Sequence, residues 1–280
     1  MSGQSQFNLA HERQKPPLKI AVLLNSYRSP FIQDIRESYV RSIRNVSPSC
    51  TLSFFLPAEN AEDFPDPEEF DLIVVGGGNA DPRKKHQWIL RVHKFILDVV
   101  TNHPGKKICG ICWGHQTIAL LFGGVIVDMD VPELGVTEAK LTPLGKRFFA
   151  SYPVEEKQGL VRLQQHHRRA VGGNTPPNGF SELLAGNQAF LSHNGSVITF
   201  QGHPEKDAHC AKLRVRDALR WYGFDPAEKG AEAEEVLRQV ERDMERQHDG
   251  AEIWAGVFDW VRGDVKGLEM GMGMTMQQHL

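Results

Sequence analysis

The segment Lys107–Gln116 places a cysteine between two glycines, where an apolar strand pattern gives way to a helical one. It reads Lys-Ile-Cys-Gly-Ile-Cys-Trp-Gly-His-Gln, so Gly110 and Gly114 flank Cys112 at equal spacing. A sharp turn from a strand into a helix crowds the backbone beside its central residue, and side chains at the flanking positions would resist it. The segment therefore predicts a nucleophile elbow, a strained turn that joins one strand to the helix after it.

The predicted elbow also bears on the reactivity of Cys112. The free amides and the dipole at a helix N-terminus favour a thiolate, which is the nucleophilic form of cysteine. We therefore expect Cys112 to be held out of the core and activated. Cys109 and Cys112 also form a Cys-x-x-Cys pair, which is typical of thiol redox proteins. Cys109 falls within the strand, however, whereas redox pairs usually begin a helix, and this favours the nucleophile interpretation.

A histidine and a carboxylate follow a second apolar run. Residues 196–205 read Ser-Val-Ile-Thr-Phe-Gln-Gly-His-Pro-Glu, which ends in His203 and Glu205. Side chains two positions apart on a strand point the same way. Glu205 can then fix the tautomer of His203 while the other ring nitrogen faces Cys112. The pattern predicts a catalytic triad of cysteine, histidine and glutamate.

Together, the two segments resemble the class I glutamine amidotransferase family. Its signature is a Gly-x-Cys-x-Gly-His-Gln elbow and a later Gly-His-Pro-Glu segment, and both are complete here. The segment Glu133–Gly145 is similar to the stand-alone members, such as the glutaminase of GMP synthase and γ-glutamyl peptidases, and the likeness covers about Leu18–Tyr222. The resemblance implies a flavodoxin-like α/β fold and cleavage of a γ-glutamyl amide through a thioester, without a cofactor.

The resemblance also implies an oxyanion hole. The segment Asp71–Asp81 looks like the family's strand and glycine turn, with Gly78 as the best match and Gly77 beside it. The second donor is expected to be the amide of Trp113, directly after the nucleophile, as in other elbows. The glycine run lacks the Lys-Ser/Thr ending of a phosphate-binding loop, which favours the oxyanion role.

Two further residues are expected to contact the substrate. Gln116 lies one helical turn beyond Cys112, at a position that contacts glutamine in the family, and His167 matches the histidine of the family's glutamyl pocket. Arg169 stands where the family commonly has an acid, so a changed leaving group is one consequence to expect. Because the adjacent His166 and His167 point apart on a strand and no further ligand spacing accompanies them, no metal site is predicted.

Strand and helix patterns alternate before the elbow. The strand patterns lie at 18–24, 51–56, 72–75 and 107–111, and the helical patterns at 31–46 and 86–100. Such alternation predicts a doubly wound, mostly parallel central sheet with flanking helices, whose ligands bind at the carboxyl ends of strands. After the elbow helix we expect several short strands rich in turn residues.

The composition changes after residue 224. Ala227–His248 is charged and predicts a solvated helix, whereas Ile253–Val261 is apolar and docks either on the core or on a second subunit, as an oligomer contact. We divide the chain into four parts. They are a disordered arm (1–17), an amidotransferase-like domain (18–224), a C-terminal helical extension (225–264) and a flexible tail (265–280).

Composition restricts the partners of the protein. The 280 residues include 32 Lys and Arg against 35 Asp and Glu, a net charge of −3, which gives no electrostatic basis for binding nucleic acid or an anionic membrane. No apolar run reaches the roughly 18 residues that span a bilayer, and the N-terminus is polar. Four cysteines without a regular framework fit a reducing compartment. We predict a cytoplasmic protein with a small-molecule substrate.

The leaving group separates two enzyme functions. If a cysteinyl or other amine leaves, the protein is a γ-glutamyl peptidase, which is the interpretation we favour. If ammonia leaves, the protein is a glutaminase that supplies a separate synthetase, because no second domain here is large enough to use ammonia. A third interpretation is a non-catalytic interaction protein that binds partners through the Trp254–Trp260 helix, and the complete triad pattern argues against it.

Overall fold

The computed structural model describes residues 15–150 and 158–265. The predicted disordered arm (1–17) and flexible tail (265–280) lie outside these ranges, apart from residues 15–17 and residue 265. The ammonium of Lys15 donates hydrogen bonds to the carboxylates of Asp259 and Asp264, at 2.7 and 2.9 Å. The described end of the predicted arm is therefore held against the C-terminal part of the chain.

The described residues contain nine strands and nine α-helices. The strands are β1 (Lys19–Leu23), β2 (Thr51–Phe55), β3 (Leu72–Val75), β4 (Lys107–Ile111), β5 (Val125–Lys140), β6 (Leu160–Gly172), β7 (Phe180–Leu184), β8 (Ala189–Ser192) and β9 (Val197–Phe200). The helices are α1 (Ile32–Val46), α2 (Gln87–Asn102), α3 (Trp113–Leu121), α4 (Pro143–Phe148), α5 (Ala208–Arg216), α6 (Leu219–Tyr222), α7 (Pro226–Lys229), α8 (Ala231–Met244) and α9 (Gly250–Arg262). The predicted strands and helices before the elbow match β1 to β4, α1 and α2 to within two residues.

The central sheet has seven strands in the order β2-β1-β3-β4-β9-β8-β7. Neighbours from β2 to β9 pair in parallel, whereas β8 and β7 pair antiparallel. Every residue of β3 and β9 is buried, as expected of strands covered on both faces by helices. The predicted doubly wound, mostly parallel sheet is confirmed, and it brings the carboxyl ends of β1, β3, β4 and β9 side by side.

Helices cover both faces of this sheet. On one face, Tyr39 of α1 and Trp254 and Phe258 of α9 are buried in the same core cluster. On the other, Trp88 of α2 packs against Trp113 of α3, with ring centroids 5.4 Å apart. The apolar C-terminal helix was expected to dock either on the core or on a second subunit, and in the structure it docks on the core. The apolar side of α9 is buried within this chain, so that surface is not free to hold a second subunit.

A long β-hairpin stands beside the central sheet. β5 and β6 pair antiparallel along most of their length, with an irregularity between Asp128 and Glu133. The expectation of several short strands is confirmed for β7 and β8 but is wrong for β5 and β6. Asp128, Asp130 and Pro132 interrupt the sequence alternation of β5, while its bulged backbone continues the strand. A bridge between Gln164 of β6 and His203 connects the hairpin to the segment after β9.

The charged region after residue 224 forms two helices, separated at Gly230. Within α8, Ala233 and Met244 are buried and most other residues are exposed, which confirms a solvated helix in this region. The predicted bounds, Ala227–His248, are wrong, because Gly230 divides the segment and α8 ends at Met244. None of the helices in the two described ranges combines the length and the apolar character needed to cross a membrane.

Candidate active site

The carboxyl ends of four neighbouring strands surround a small cavity. Gly77 and Gly78 follow β3, Cys112 follows β4, and His203 and Glu205 follow β9. All five residues line one cavity of about 40 Å³. A much larger groove, of about 1000 Å³, lies among the residues that precede β1, β3 and β4 and contains none of them. The structure therefore gathers the predicted triad and the glycine turn at one place.

The turn at Cys112 has the strain that its flanking glycines predict. Cys112 has φ 50° and ψ −97° and is the N-cap residue of α3. A Cβ atom at Gly114 would lie 1.9 Å from the carbonyl oxygen of Val75, and one at Gly110 would lie 2.9 Å from that of Gly114. A positive φ at a residue other than glycine costs on the order of 1–3 kcal/mol. The surrounding packing therefore fixes the sulfur at the carboxyl end of β4.

The cysteine is buried in its resting state. Burial raises the pKa of the Cys112 thiol to about 11, and Glu205 adds to this rise. Lys206, Arg169 and the amide of Trp113 act in the opposite direction but do not outweigh burial. The expectation that the helix N-terminus makes Cys112 a thiolate is therefore wrong for the resting protein, in which Cys112 is a thiol.

The histidine and the glutamate contact each other directly. Nδ1 of His203 lies 2.7 Å from Oε1 of Glu205. The expected geometry differs, because β9 ends at Phe200 and both residues follow it in a turn rather than on the strand. The backbone amide of His203 donates to the carbonyl of Gln164, and the Ser38 hydroxyl donates to the carbonyl of Glu205, at 2.8 and 2.7 Å. These contacts from β6 and α1 position the pair.

The imidazole of His203 is neutral at ordinary pH. Burial lowers the pKa of His203 to about 4, and Lys206 lowers it further, while Glu205 opposes both. With the carboxylate of Glu205 accepting from Nδ1, the Nε2 atom carries the lone pair and is the atom that accepts a proton. The ammonium nitrogen of Lys206 lies 3.4 Å from that Nε2 atom.

The glycine turn lies directly beside the histidine and the cysteine. A Cβ atom at Gly77 would lie 3.0 Å from Cε1 of His203 and 3.9 Å from Cβ of Cys112. Neither the Gly77 nor the Gly78 amide donates a hydrogen bond to another residue of the described ranges. The amide of Trp113 is directed at the sulfur of Cys112. The amides of Gly77 and Trp113 are therefore near Cys112, and Gly78 lines the same cavity, although their role with a substrate stays a prediction.

The two predicted substrate contacts do not border this cavity. The side-chain amide of Gln116 donates to the carbonyl of Arg169 and to Oε1 of Gln201, at 2.6 and 3.2 Å. Nε2 of His167 lies 3.0 Å from a carboxylate oxygen of Glu133 on β5. Both side chains are buried, and their contact with a substrate stays a prediction.

The comparisons with known proteins bear directly on this site. Residues 31–215, which include the whole cavity apart from Leu24 and Ser26, match the family model of glutamine amidotransferase class-I. The chain belongs to this family. Relatives of the chain include two proteins named γ-glutamyl peptidase, from Arabidopsis thaliana.

Relatives and solved structures of the class-I glutamine amidotransferase family extend the match. The chain is 28% identical to the glutamine amidotransferase-like protein chyE of Penicillium rubens, over 87% of this chain and 97% of that protein. It is 26% identical to γ-glutamyl peptidase 2 of Arabidopsis thaliana, over 65% of this chain and 72% of that protein. A crystal structure of a Thermotoga maritima glutamine amidotransferase has a TM-score of 0.59 and 18% identity, and covers 91% of this chain and 100% of its own. At that identity it confirms the predicted fold alone.

Among the cavity-lining side chains that sequence reasoning missed are Tyr39, Lys206 and Arg214. His166, for which no metal role was predicted, lines the cavity as well. Lys206 directly follows the Gly-His-Pro-Glu segment, so its position was readable from the sequence, but a single lysine carries no motif. His166 stands edge-on to His203, with ring centroids 6.3 Å apart. No group of three or more His, Cys, Asp and Glu side chains suited to a metal ion occurs in the described part of the chain.

Arg169 has a structural role at the rim. Its guanidinium donates to the carbonyls of Asn79 and Ala80, at 2.9 and 3.0 Å, and lies over the ring of Trp221. These bonds join β6 to the loop after β3. Arg169, which stands where the family commonly has an acid, therefore connects two sides of the site.

Proposed function

We propose that the protein hydrolyses γ-glutamyl amide bonds with Cys112 as nucleophile, His203 as general base and acid, and Glu205 as the group that orients the histidine. The observation that carries this proposal is the shared cavity, in which a Glu205-bound neutral imidazole, an elbow thiol and a glycine turn meet. Membership of the class-I glutamine amidotransferase family supports the same chemistry.

The two pKa values favour proton transfer during attack rather than before it. A thiol with a pKa of about 11 beside an imidazole with a pKa of about 4 does not form an ion pair in the resting protein. As the sulfur attacks the γ-carbonyl carbon, Nε2 of His203 takes the thiol proton. The amides of Gly77 or Gly78 and of Trp113 stabilise the oxyanion, a donor of this kind contributing about 3–4 kcal/mol.

The histidine then returns the proton to the leaving amine, and a glutamyl thioester remains on Cys112. His203 next accepts a proton from a water molecule, which attacks the thioester and releases glutamate. In our proposal Gln116 and His167 contact the glutamyl group of the bound substrate, as the family resemblance implies. Gln116 also binds the Arg169 carbonyl of β6. We propose small γ-glutamyl peptides or conjugates of the cytoplasm as substrates. All four cysteines of the chain are free thiols.

The test is glutamate release from glutamine, glutathione and a γ-glutamyl thioether conjugate, measured in parallel for the wild-type protein and Cys112→Ala. We expect release from the two peptides and at least about a 10³-fold loss in the variant, because residues of a triad act as a unit. Cys109→Ala is the matched control. It removes the Cys-x-x-Cys pair but leaves the elbow, so it should retain hydrolysis.

The outcomes separate the alternatives. Release from glutamine alone would assign the protein as a glutaminase that supplies ammonia to a synthetase. Hydrolysis that persists in Cys112→Ala contradicts the mechanism. Mass spectrometry of the wild-type protein, quenched during turnover, should show one added glutamyl group on the peptide that contains Cys112.

A further inference from the structure

Lys206 is a buried cation at the catalytic cavity. Only 6% of its surface is exposed, and its ammonium nitrogen lies 3.4 Å from Nε2 of His203. Within residues 15–150 and 158–265, no carboxylate oxygen lies within 4 Å of it. The charged and titratable groups that act on it are Cys210, Glu205, Cys112 and Arg214. Glu205 already binds His203, so the ammonium has no anion of its own.

The second buried cation of the cavity is fully bound. One nitrogen of Arg214 donates to Asp217 and to the Ser29 hydroxyl, at 2.7 and 2.9 Å, and another donates to Oδ1 of Asn79, at 2.6 Å. Its charge is therefore compensated by Asp217. An ammonium has three donors and no acceptor. Because a buried charge without a partner is unfavourable, an anion that reaches Lys206 gains more than one that meets an already paired arginine.

The position of Lys206 identifies the part of the substrate that it faces. Nε2 of His203 is the atom that protonates the leaving amine, so the leaving amine must come beside this nitrogen and therefore beside Lys206. In an amino acid, the carboxyl carbon is two bonds from the nitrogen, a distance of about 2.5 Å. A leaving amino acid thus brings its carboxylate within reach of the ammonium, whereas the ammonia that leaves from glutamine brings no anion.

We propose that Lys206 binds the α-carboxylate of the leaving amino acid and thereby selects γ-glutamyl dipeptides, in which this carboxylate is free, over glutamine. This inference rests on the proposed function. In the free protein the ammonium lies against Nε2, where its hydrogen bond competes with the thiol proton of Cys112. A bound carboxylate draws the ammonium away and leaves Nε2 free to act as the base. Lys206 therefore has two roles in this proposal. It selects the substrate by its carboxylate, and in the free protein it occupies the lone pair of the base, Nε2 of His203.

Binding to a variant that cannot turn over tests this directly. The full-length Cys112→Ala protein is titrated calorimetrically with γ-glutamylglycine and with γ-glutamylglycinamide, which differ only in the carboxylate. We expect the acid to bind at least tenfold more tightly than the amide. Adding Lys206→Met should reduce this ratio to about one, whereas adding Lys206→Arg should restore part of it. Lys212→Met is the matched control, because Lys212 pairs with Glu245 outside the cavity, and it should leave the ratio unchanged.

Several results would overturn the inference. Equal binding of acid and amide, no binding of the acid, or a preference that survives Lys206→Met in a protein with unchanged thermal unfolding would each do so. Wild-type glutamate release distinguishes this inference from the proposed function. If the wild type cleaves acid and amide equally, hydrolysis stands and the role of Lys206 fails. If it cleaves neither while the carboxylate preference in binding remains, the role of Lys206 stands and hydrolysis fails.

Discussion

At the scale of single residues, the site combines a reactive location with an unreactive resting state. The elbow holds Cys112 at the N-terminus of α3, where the helix favours a thiolate, and Lys206 favours it too. Burial outweighs both and raises the pKa of the thiol to about 11. Since only the thiolate is nucleophilic, the free protein keeps its cysteine inert until His203 accepts the proton.

This balance predicts how Cys112 responds to alkylation. Below the thiol pKa, the thiolate fraction grows about tenfold per pH unit, so the rate of Cys112 labelling by iodoacetamide should rise steadily from about pH 7 to about pH 10. Peptide mapping by mass spectrometry distinguishes Cys112 from the other cysteines. A rate already constant above about pH 7 would mean a preformed thiolate and contradict this reading.

At the scale of elements, the sequence predicts those structures whose cause is local. β1 to β4 are apolar runs bounded by turn residues. The two glycines of the elbow occupy positions where a side chain would clash with neighbouring backbone atoms. The end of β9 was not predictable in this way. It depends on the hydrogen bond from His203 to Gln164, a residue of β6 that is distant in sequence. His166 and Arg214 reach the cavity through the hairpin and α5, whose placement is also set by long-range packing.

The C-terminal helix shows the same limit of local information. Its apolar stripe fits equally well against a core or against a subunit, and only the packing of Trp254 and Phe258 beside α1 decides between them. Our division at residue 225 treats this helix as part of an extension, whereas its side chains belong to the main core cluster. The stability of the whole domain should therefore depend on α9.

We expect Trp254→Ala to lower the free energy of unfolding by about 3–5 kcal/mol, because it empties a fully buried site in the core. Trp221→Ala is the control, since Trp221 is 39% exposed and its ring contributes mainly a cation–π contact of about 1 kcal/mol with Arg169. Urea unfolding followed by circular dichroism gives both values. If Trp254→Ala unfolds at the wild-type midpoint, α9 is an independent appendage and our placement of it in the core is wrong.

At the scale of the whole molecule, the site is held together by contacts between loops from different strands. The cavity is small, about 40 Å³. Arg214 of α5 binds Ser29 in the loop after β1 and Asn79 in the loop after β3. Arg214 therefore connects these two loops beside Cys112.

Removing Arg214 should loosen the loop after β1. In Arg214→Met we expect amide hydrogen exchange to become at least about tenfold faster in residues 26–31, several of whose amides are hydrogen-bonded, because this loop loses a charge-assisted hydrogen bond of about 1.5–3 kcal/mol. Arg216→Met is the matched control on the same helix, where Arg216 pairs with Glu241 on the surface, and it should leave the loop protected. Unchanged exchange of residues 26–31 in Arg214→Met would show that other contacts hold this loop and would contradict the role given to Arg214.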